Sequence, residues 1–209
     1  MGGTGPLLLA VLLLNLAFAG LLTNFPLFSG ARFGWGASEN AFLFAFVGAC
    51  AVATQGLLVG RMQRLYGEVR LALGGLALTA LCLAVVGGST SGWMLYPVVG
   101  ALAVGAGLAI PALTALLSRR SPAEEQGRLM GGVQAVLSLA LIFGPLVAGA
   151  AFDELGVPAP YFIGAALAAL AVPAVALSGR KEPVSLGPGV AVPGPRGFPT
   201  GLESERRPS

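Results

Sequence analysis

Six apolar stretches follow one another along the chain, each about as long as the roughly 20 residues that an α-helix needs to cross a bilayer. They run over residues 6–28, 40–59, 69–86, 93–117, 129–152 and 159–177. Short segments rich in charged residues, Gly, Pro and Ser separate them. Backbone polar groups must be paired inside hydrocarbon, and stretches of this length lack the alternation of barrel strands. The pattern therefore predicts six transmembrane helices and an all-α membrane protein that lies in the lipid bilayer.

The composition agrees with this pattern. Apolar residues make up 56% of the chain and charged residues only 10%, whereas soluble domains average about 25% charged residues. So few charges cannot cover a surface that faces water. We expect a six-helix transmembrane domain over residues 1–178. Residues 179–209 are rich in Pro and Gly without a repeat and poor in apolar residues, so we expect a disordered tail there.

The first stretch has an alternative interpretation. Residues 7–16 followed by Ala17-Phe18-Ala19 are similar to a signal peptide with its cleavage site. However, no basic segment precedes them, and the apolar run continues to Phe28. We therefore expect the stretch to be the first membrane span.

The basic residues gather at alternate connections, which predicts an orientation. One side carries eight of them, namely Arg61, Arg64, Arg70, Arg119, Arg120, Arg128, Arg180 and Lys181. The other side has Arg32 alone, beside Glu39, Asp153 and Glu154. Since Arg and Lys in short loops favour the cytoplasmic side, we expect a multi-pass protein of the cell membrane with both termini in the cytoplasm.

Several kinds of chemistry are excluded by missing residues. The chain has no His, and its single Lys is Lys181, so it has neither a His-based hydrolytic site nor a GxxxxGK[ST] phosphate loop. Cys50 and Cys82 each lie within a predicted span, without the spacing of a metal site, and are expected to be small packing residues. We expect no enzyme activity, cofactor, metal site or nucleic-acid partner.

Small and polar residues form stripes on the fourth and fifth predicted helices. The stripes are Gly100, Ala103, Gly107, Pro111, Thr114 and Ser118, and Gly131, Gln134, Ser138, Ile142, Pro145 and Gly149. Such faces occur where helices pack tightly, and also where a bent helix borders a cavity. Bends or close packing are expected at Gly107, Pro111, Gly144, Pro145 and Gly149. Polarity within the spans makes Asn15, Gln55, Thr114 and Gln134 candidates for lining a substrate path.

A capping box is predicted at the start of the fifth helix. Ser121 would be the N-cap, Pro122 the first helical residue and Glu124 the third. The helix would then begin before it enters the bilayer.

The connection after the second span carries Gln55-Gly56-x-x-x-Gly60-Arg61, then Arg64, Gly67 and Arg70. With Gly105-x-Gly107-x-x-x-Pro111 and the segment 143–149, FGPLVAG, this pattern resembles the major facilitator superfamily. The likeness covers roughly residues 6–177 and is nearest to the carboxyl-terminal six-helix half of drug:proton antiporters of the tetracycline or multidrug type. One departure is Gly60, where amino-terminal halves usually have Asp before the Arg. The resemblance implies that the loop residues Gly56, Gly60, Arg61, Arg64, Gly67 and Arg70 form a tight turn whose arginines pair with helix ends or acidic groups.

The resemblance also implies a function and a partner. A twelve-helix transporter of this kind moves a small-molecule substrate between two halves by alternating access, and this chain supplies one half. We expect proton-coupled efflux of small amphipathic molecules, with a second six-helix half or a second copy completing the unit. The alternative is a truncated or non-transporting helix bundle that acts as an assembly partner or sensor.

Overall fold

Each of the six predicted spans is a long helix in the computed structural model, which describes residues 4–179. The helices are α1 (Gly5–Phe33), α2 (Ala37–Tyr66), α3 (Glu68–Gly88), α4 (Leu95–Arg119), α5 (Gln126–Leu155) and α6 (Ala159–Gly179). All six are long and apolar enough to cross a membrane. This confirms the predicted all-α fold. Apart from Gly179, the expected tail lies outside the described residues.

The end of α1 shows how a glycine stops a helix. α1 continues through Pro26 to Phe33, five residues beyond the predicted end at Phe28. Gly34 then adopts φ 69°, a left-handed conformation that suits glycine. Its N–H donates to the Gly30 carbonyl at 3.0 Å. The chain therefore turns into α2 within three residues.

The predicted loop after the second span is largely helix. The boundary at residue 59 was wrong, because α2 runs to Tyr66 and a single residue, Gly67, links it to α3. Gly67 has φ 75° and makes the turn. Arg64 lies in the last helical turn, where a cation interacts favourably with the helix dipole. Charge alone therefore did not end this helix.

The helices α1, α3, α4 and α6 form the core, and α2 and α5 lie outside it. α3 packs against α4 and α6, and α1 packs against α5 and α6. α2 packs mainly on α4, and α5 mainly on α1. The first three helices thus occupy places equivalent to the last three, with α1 matching α4. α2 and α5 bury much less of their surface than the others.

Glycine allows two pairs of helices to touch. A Cβ atom added to Gly75 of α3 would lie 2.6 Å from the Gly105 carbonyl oxygen of α4. A Cβ on Gly144 of α5 would overlap that of Ala19 in α1. Close backbone approach of this kind is typical of membrane helices, which pack through small residues. The expected packing role of Gly144 agrees with this contact.

Two arginines connect helix ends in equivalent ways. Arg32 Nε donates to the Ser89 carbonyl oxygen at 3.0 Å, and Arg120 Nη2 donates to the Ser178 carbonyl oxygen at 2.9 Å. The first bond joins the ends of α1 and α3, and the second joins the ends of α4 and α6. The two bonds span 57 and 58 residues. Because the two bonds have nearly the same spacing and join equivalent helices, they are further evidence that the last three helices repeat the first three.

These bonds define the two ends of the bundle. We call the end with Arg119 and Arg120 the basic end, and the end with Arg32 and Glu39 the acidic end. At the basic end, Arg119 Nη2 lies 2.9 Å from Glu68 Oε1 and joins α4 to α3. Because the Arg119 side chain is 77% exposed, this ion pair contributes at most about 1 kcal/mol.

The predicted capping box is not formed. α5 begins at Gln126, and a short 3₁₀ turn, Ala123–Glu125, precedes it. The Glu125 N–H donates to the Pro122 carbonyl at 3.0 Å, which is a 3₁₀ bond rather than an α-helical one. No side chain caps the helix. This 3₁₀ turn contains residues that were expected to form the first turn of α5.

Candidate functional site

A cavity of about 450 Å³ lies between α1, α2 and α4. Its volume falls within the range of about 300–1,000 Å³ that is usual for small-molecule sites. The lining residues are Phe18, Val47, Ala51, Gln55, Val59, Ala103, Ala106, Gly107, Ile110 and Pro111. Gln55 has the one polar side chain among them, and none carries a charge. The walls therefore suit an apolar molecule, or the apolar part of an amphipathic one.

A π-helical turn in α2 lies beside this cavity. The turn spans Thr54–Leu58, and the Val59 N–H donates to the Thr54 carbonyl five residues earlier. Thr54 is buried, and its hydroxyl donates to the Cys50 carbonyl at 2.7 Å. Hydroxyl bonds of this kind compete with the backbone ladder and bend helices. π turns often occur at functional sites, and this one contains Gln55.

Gly107 sets how closely α2 approaches α4. A Cβ atom on Gly107 would lie 2.9 Å from Thr54 Cγ2. A larger residue would push the π turn away from α4. Gly107 and Pro111 both line the cavity, as expected for a helix that borders one. The buried contact between Thr54 and Gly107 thus positions the π turn, which carries Gln55 at the cavity.

A smaller void continues the cavity toward the acidic end. It has a volume of about 60 Å³ and shares Phe18, Val47 and Ala103 with the larger one. Its remaining walls are apolar, and include Phe25, Phe44 and Val99. The two spaces lie along the seam between α2 and α4, beside α2 from Leu43 to Val59.

Of the four residues predicted to line a path, the structure places Gln55 at the cavity. Asn15 is half-buried in α1, and its side-chain amide donates to the Val11 carbonyl at 2.8 Å. Thr114 is exposed, and its hydroxyl donates to the Ile110 carbonyl at 2.9 Å. Gln134 is exposed on α5. None of these three lines either void.

The predicted stripe on α5 does not face the bundle. Gly131, Gln134, Ser138 and Ile142 are exposed, and a Cβ on Gly131 or Gly149 would meet nothing within 4 Å. Gly149 is half-buried without a close neighbour, so the close packing expected there does not occur, and the alternative, a bend, stays a prediction. α5 instead buries Ala140, Gly144, Ala148 and Ala151 against α1 and α6, a row of small residues displaced around the helix. Pro145 is half-buried beside that row.

The loop motif behaves differently from the expected tight turn. Gly56 and Gly60 lie on α2 with open space where a Cβ would be, so they do not pack on a neighbouring helix. Gly67 alone makes the turn. Within the described part of the chain Arg61, Arg64 and Arg70 are exposed and form no ion pair. The expected pairing to an acid is made instead by Arg119.

Sequence reasoning missed most of the cavity walls because it looked for polar residues. Phe18, Val47 and Ile110 are ordinary apolar residues of long apolar helices. The structure shows why α2 leaves room for a cavity. α2 buries a narrow row, Asn40, Leu43 and Thr54, and half-buries Val47 and Cys50 between them. A row that narrow covers little of a neighbouring helix.

Comparison with known proteins decides the family. The family model described as Major Facilitator Superfamily matches residues 7–208. The chain belongs to this superfamily. Since its members are transporters rather than enzymes, the membership also confirms that the chain is not an enzyme.

Two of the curated relatives are tetracycline resistance proteins. The class C protein of Escherichia coli is 34% identical over 126 residues, which cover 60% of this chain and 32% of that protein. The class D protein of Salmonella ordonez is 32% identical over 151 residues, or 70% of this chain and 38% of that protein. The chain therefore spans about a third of the length of these relatives. They confirm the resemblance to drug-efflux members of the superfamily.

A solved structure has the same fold. The crystal structure of the human organic anion transporter MFSD10 (TETRAN) superimposes with a TM-score of 0.74 at 22% identity. The match covers 81% of this chain and 40% of that protein. This supports the assignment of the six helices as one half of a major-facilitator bundle.

Proposed function

We propose that this chain is one half of an efflux transporter that exports small amphipathic molecules by alternating access. The cavity between α1, α2 and α4 carries the proposal, because its mostly apolar lining suits the apolar part of such a molecule. Gln55 offers that molecule both a hydrogen-bond donor and an acceptor. The relatives that confer tetracycline resistance support the choice of substrate class.

Proton coupling requires a titratable group, and neither void is lined by one. Intramembrane carboxylates are the usual carriers of protons in transporters. We therefore assign the coupling carboxylate to a second six-helix half. The exposed faces of α2 and α5 are the surfaces available to that half, since these two helices bury the least of their surface.

The second half is a separate six-helix domain in this proposal. A second copy of the chain is the alternative, but it would bring no carboxylate to the voids described above. We further propose that the basic end is cytoplasmic in the cell membrane, so that both termini lie inside. The excess of arginine at that end supports this orientation.

Efflux measured in cells tests the proposal. Cells would express the chain alone or together with a six-helix half that carries an intramembrane carboxylate, and would be loaded with a fluorescent amphipathic dye. We expect dye export from the pair that stops when the proton gradient is collapsed. Export from the chain alone would favour a dimer of two copies. No export in either case, from protein shown to be in the membrane, would support the non-transporting bundle.

A further inference from the structure

The helices α2 and α5 occupy equivalent places in the repeat but pack through different rows of residues. Each has 30 residues, and each is followed by a glycine with positive φ, Gly67 or Gly156. The buried residues of α5 toward its C-terminal end are Ala140, Gly144, Ala148 and Ala151. Counted back from the two glycines, the same positions in α2 are Ala51, Gln55, Val59 and Met62. The first three of these line the cavity, so α2 turns toward the cavity the row that α5 buries.

The contacts of α2 and α5 with the core also differ by one residue. A Cβ on Gly144 of α5 would overlap that of Ala19 in α1. Ala19 corresponds to Gly107 of α4, since each lies at the same spacing before the arginine that links two helix ends. Gln55 would therefore meet Gly107 if α2 packed as α5 does. In the structure Thr54, one residue earlier, makes this contact.

The π turn of α2 explains this difference. Its hydrogen bond, from the Val59 N–H to the Thr54 carbonyl, spans one residue more than an α-helical bond, whereas α5 is α-helical throughout. The extra residue places Thr54 where an uninterrupted helix would place Gln55. Successive residues of an α-helix lie about 100° apart around its axis. Conversion of the π turn to an α turn would therefore roll the preceding part of α2 by about that angle.

We propose that α2 is a lid with two packing registers on α4, and that the change of register closes the cavity. In the observed open register, Cys50 and Thr54 face α4, and Gln55 lines the cavity. In the closed register Ala51 and Gln55 face α4, as their equivalents in α5 face α1. Closure thus withdraws Gln55 from a bound molecule. The role as a lid rests on the proposed function, because it takes the cavity to be the substrate site, but the change of register does not.

A buried hydrogen bond stabilises the open register. The Ser29 hydroxyl of α1 donates to the side-chain carbonyl oxygen of Asn40 in α2 at 2.8 Å, and both residues are buried. Leu43, about one turn further along α2, is fully buried as well. A roll of about 100° turns Asn40 and Leu43 away from their present neighbours. The bond from Ser29 must therefore break before the cavity can close.

Small residues leave room for the closed register. Gly48 lies about one turn before Ala51, and a Cβ on Gly48 would meet nothing within 4 Å. Gly107 has no side chain at the point of α4 that would receive Gln55 in place of Thr54. Such residues let membrane helices approach closely. Burial of the cavity walls in this register offsets part of the cost of the broken hydrogen bond.

Disulfide cross-linking of the full chain in membranes tests the two registers. The Cys50 sulfur lies 3.7 Å from the Cβ position of Gly100 on α4, so the G100C variant should form a disulfide to Cys50 in the open register. The variant A51C/G100C, which also carries C50A and C82A, should form a disulfide in the closed register. The matched control is A49C/G100C with the same two alanines. Ala49 and Ala51 lie about 100° to either side of Cys50, and the closed register brings Ala51 alone to α4.

Removal of the buried hydrogen bond should favour the closed register. Ser29→Ala removes the donor to Asn40, and we expect it to raise the initial rate of cross-linking in A51C/G100C about fivefold, as expected for one buried hydrogen bond. Ser138→Ala removes an exposed hydroxyl that bonds within α5 and should leave that rate unchanged. Equal rates for A49C/G100C and A51C/G100C, or no effect of Ser29→Ala, would overturn the proposal. Failure of G100C to cross-link to Cys50 would also overturn it, because the open register would then be wrong.

A fluorescent amphipathic dye separates this inference from the proposed function. A molecule in the cavity keeps α2 in the open register, so a saturating dye should slow the cross-linking of A51C/G100C. If Ser29→Ala raises this rate but the dye does not lower it, α2 changes register as proposed and the cavity does not bind the dye. The proposed function would then fail while the change of register stands.

Discussion

Thr54 Cγ2 lies 2.9 Å from the point where a Cβ atom on Gly107 would be, so the π turn of α2 rests directly on the backbone of α4. We expect Gly107→Ala to displace this turn and to lower the thermal stability of the chain in detergent, because overpacking a tight contact costs about 1–3 kcal/mol. Thr54→Ser keeps the hydroxyl that bonds to Cys50 and removes Cγ2. The double variant G107A/T54S should therefore recover part of the loss.

The control for this pair is Gly131→Ala. Gly131 lies on α5 with open space around it, so alanine there should be neutral or stabilise by up to about 1 kcal/mol. If the effects of G107A and T54S simply add, the two residues are not coupled through this contact.

The contact between α3 and α4 gives the sharpest stability prediction. A Cβ on Gly75 would meet backbone atoms of α4 at 2.6 and 2.8 Å, and neither helix backbone can move aside cheaply. We expect Gly75→Ala to destabilise the bundle by about 1–3 kcal/mol or more, or to prevent recovery of folded protein. The neighbouring variant Gly74→Ala is the control, since nothing lies within 4 Å of its Cβ position. Equal melting temperatures for the two variants would contradict the described packing of α3 on α4.

Arg32 should contribute to stability through its bond to Ser89. Replacing it by methionine keeps most of the apolar stem but removes the donor and the charge at the end of α3. Hydrogen bonds that involve a charged group contribute about 1.5–3 kcal/mol when shielded from water, and the exposure of Arg32 reduces that value. We expect a loss of about 1 kcal/mol, measured by thermal unfolding in detergent. Arg128→Met, at an exposed arginine without an ion pair among the described residues, should have little effect.

Gln55 is the residue that the proposed function depends on most directly. In cells that also express the second half, Gln55→Leu should reduce efflux up to about tenfold, mainly by weakening substrate binding, as expected for one lost hydrogen bond. Thr114→Val also removes a polar group, at an exposed position of α4 that lines neither void. Its efflux should match the parent value. Equal losses for the two variants would remove the cavity from the proposed substrate path.

The proposed orientation predicts which end can be labelled from outside the cell. In a variant whose Cys50 and Cys82 are replaced by alanine, Ser38→Cys should react with an impermeant maleimide in intact cells, because Ser38 lies at the acidic end. Tyr66→Cys, at the basic end, should react only after the membrane is permeabilised. We also expect that neutralising Arg61, Arg64 and Arg70 weakens this bias, since the arginines of short loops direct topology. Labelling of Tyr66→Cys in intact parent cells would reverse the proposed orientation.

The sequence predicted the number and type of the helices because hydrocarbon leaves the backbone few alternatives. It was less informative about where they end. The charge pattern predicts a loop at Arg61 and Arg64, yet α2 continues past both, because a helix that leaves the bilayer stays helical until a residue such as Gly67 turns the chain. The capping box at Ser121 failed for the opposite reason, since a local 3₁₀ bond to Pro122 replaced the expected helical start.

The candidate site was predicted only in part. Gln55, Gly107 and Pro111 were named from the sequence, and the structure brings all three to one cavity. Asn15, Thr114 and Gln134 were chosen by the same reasoning but lie elsewhere, because membrane helices satisfy isolated polar side chains on their own carbonyl groups, as Asn15 and Thr114 do. Polarity within a span therefore indicates a residue that needs a partner, and only tertiary structure shows whether that partner is a ligand.

The bond from Arg120 to the Ser178 carbonyl also affects how the chain is removed from a membrane. A protease complex that pulls on the C-terminal segment applies its force first to the end of α6. The Arg120 guanidinium links this end to α4 by a hydrogen bond. Mechanical extraction would have to break this hydrogen bond before α6 could move relative to α4. Single-molecule pulling from the C-terminus should therefore register an early force peak that disappears in Arg120→Met.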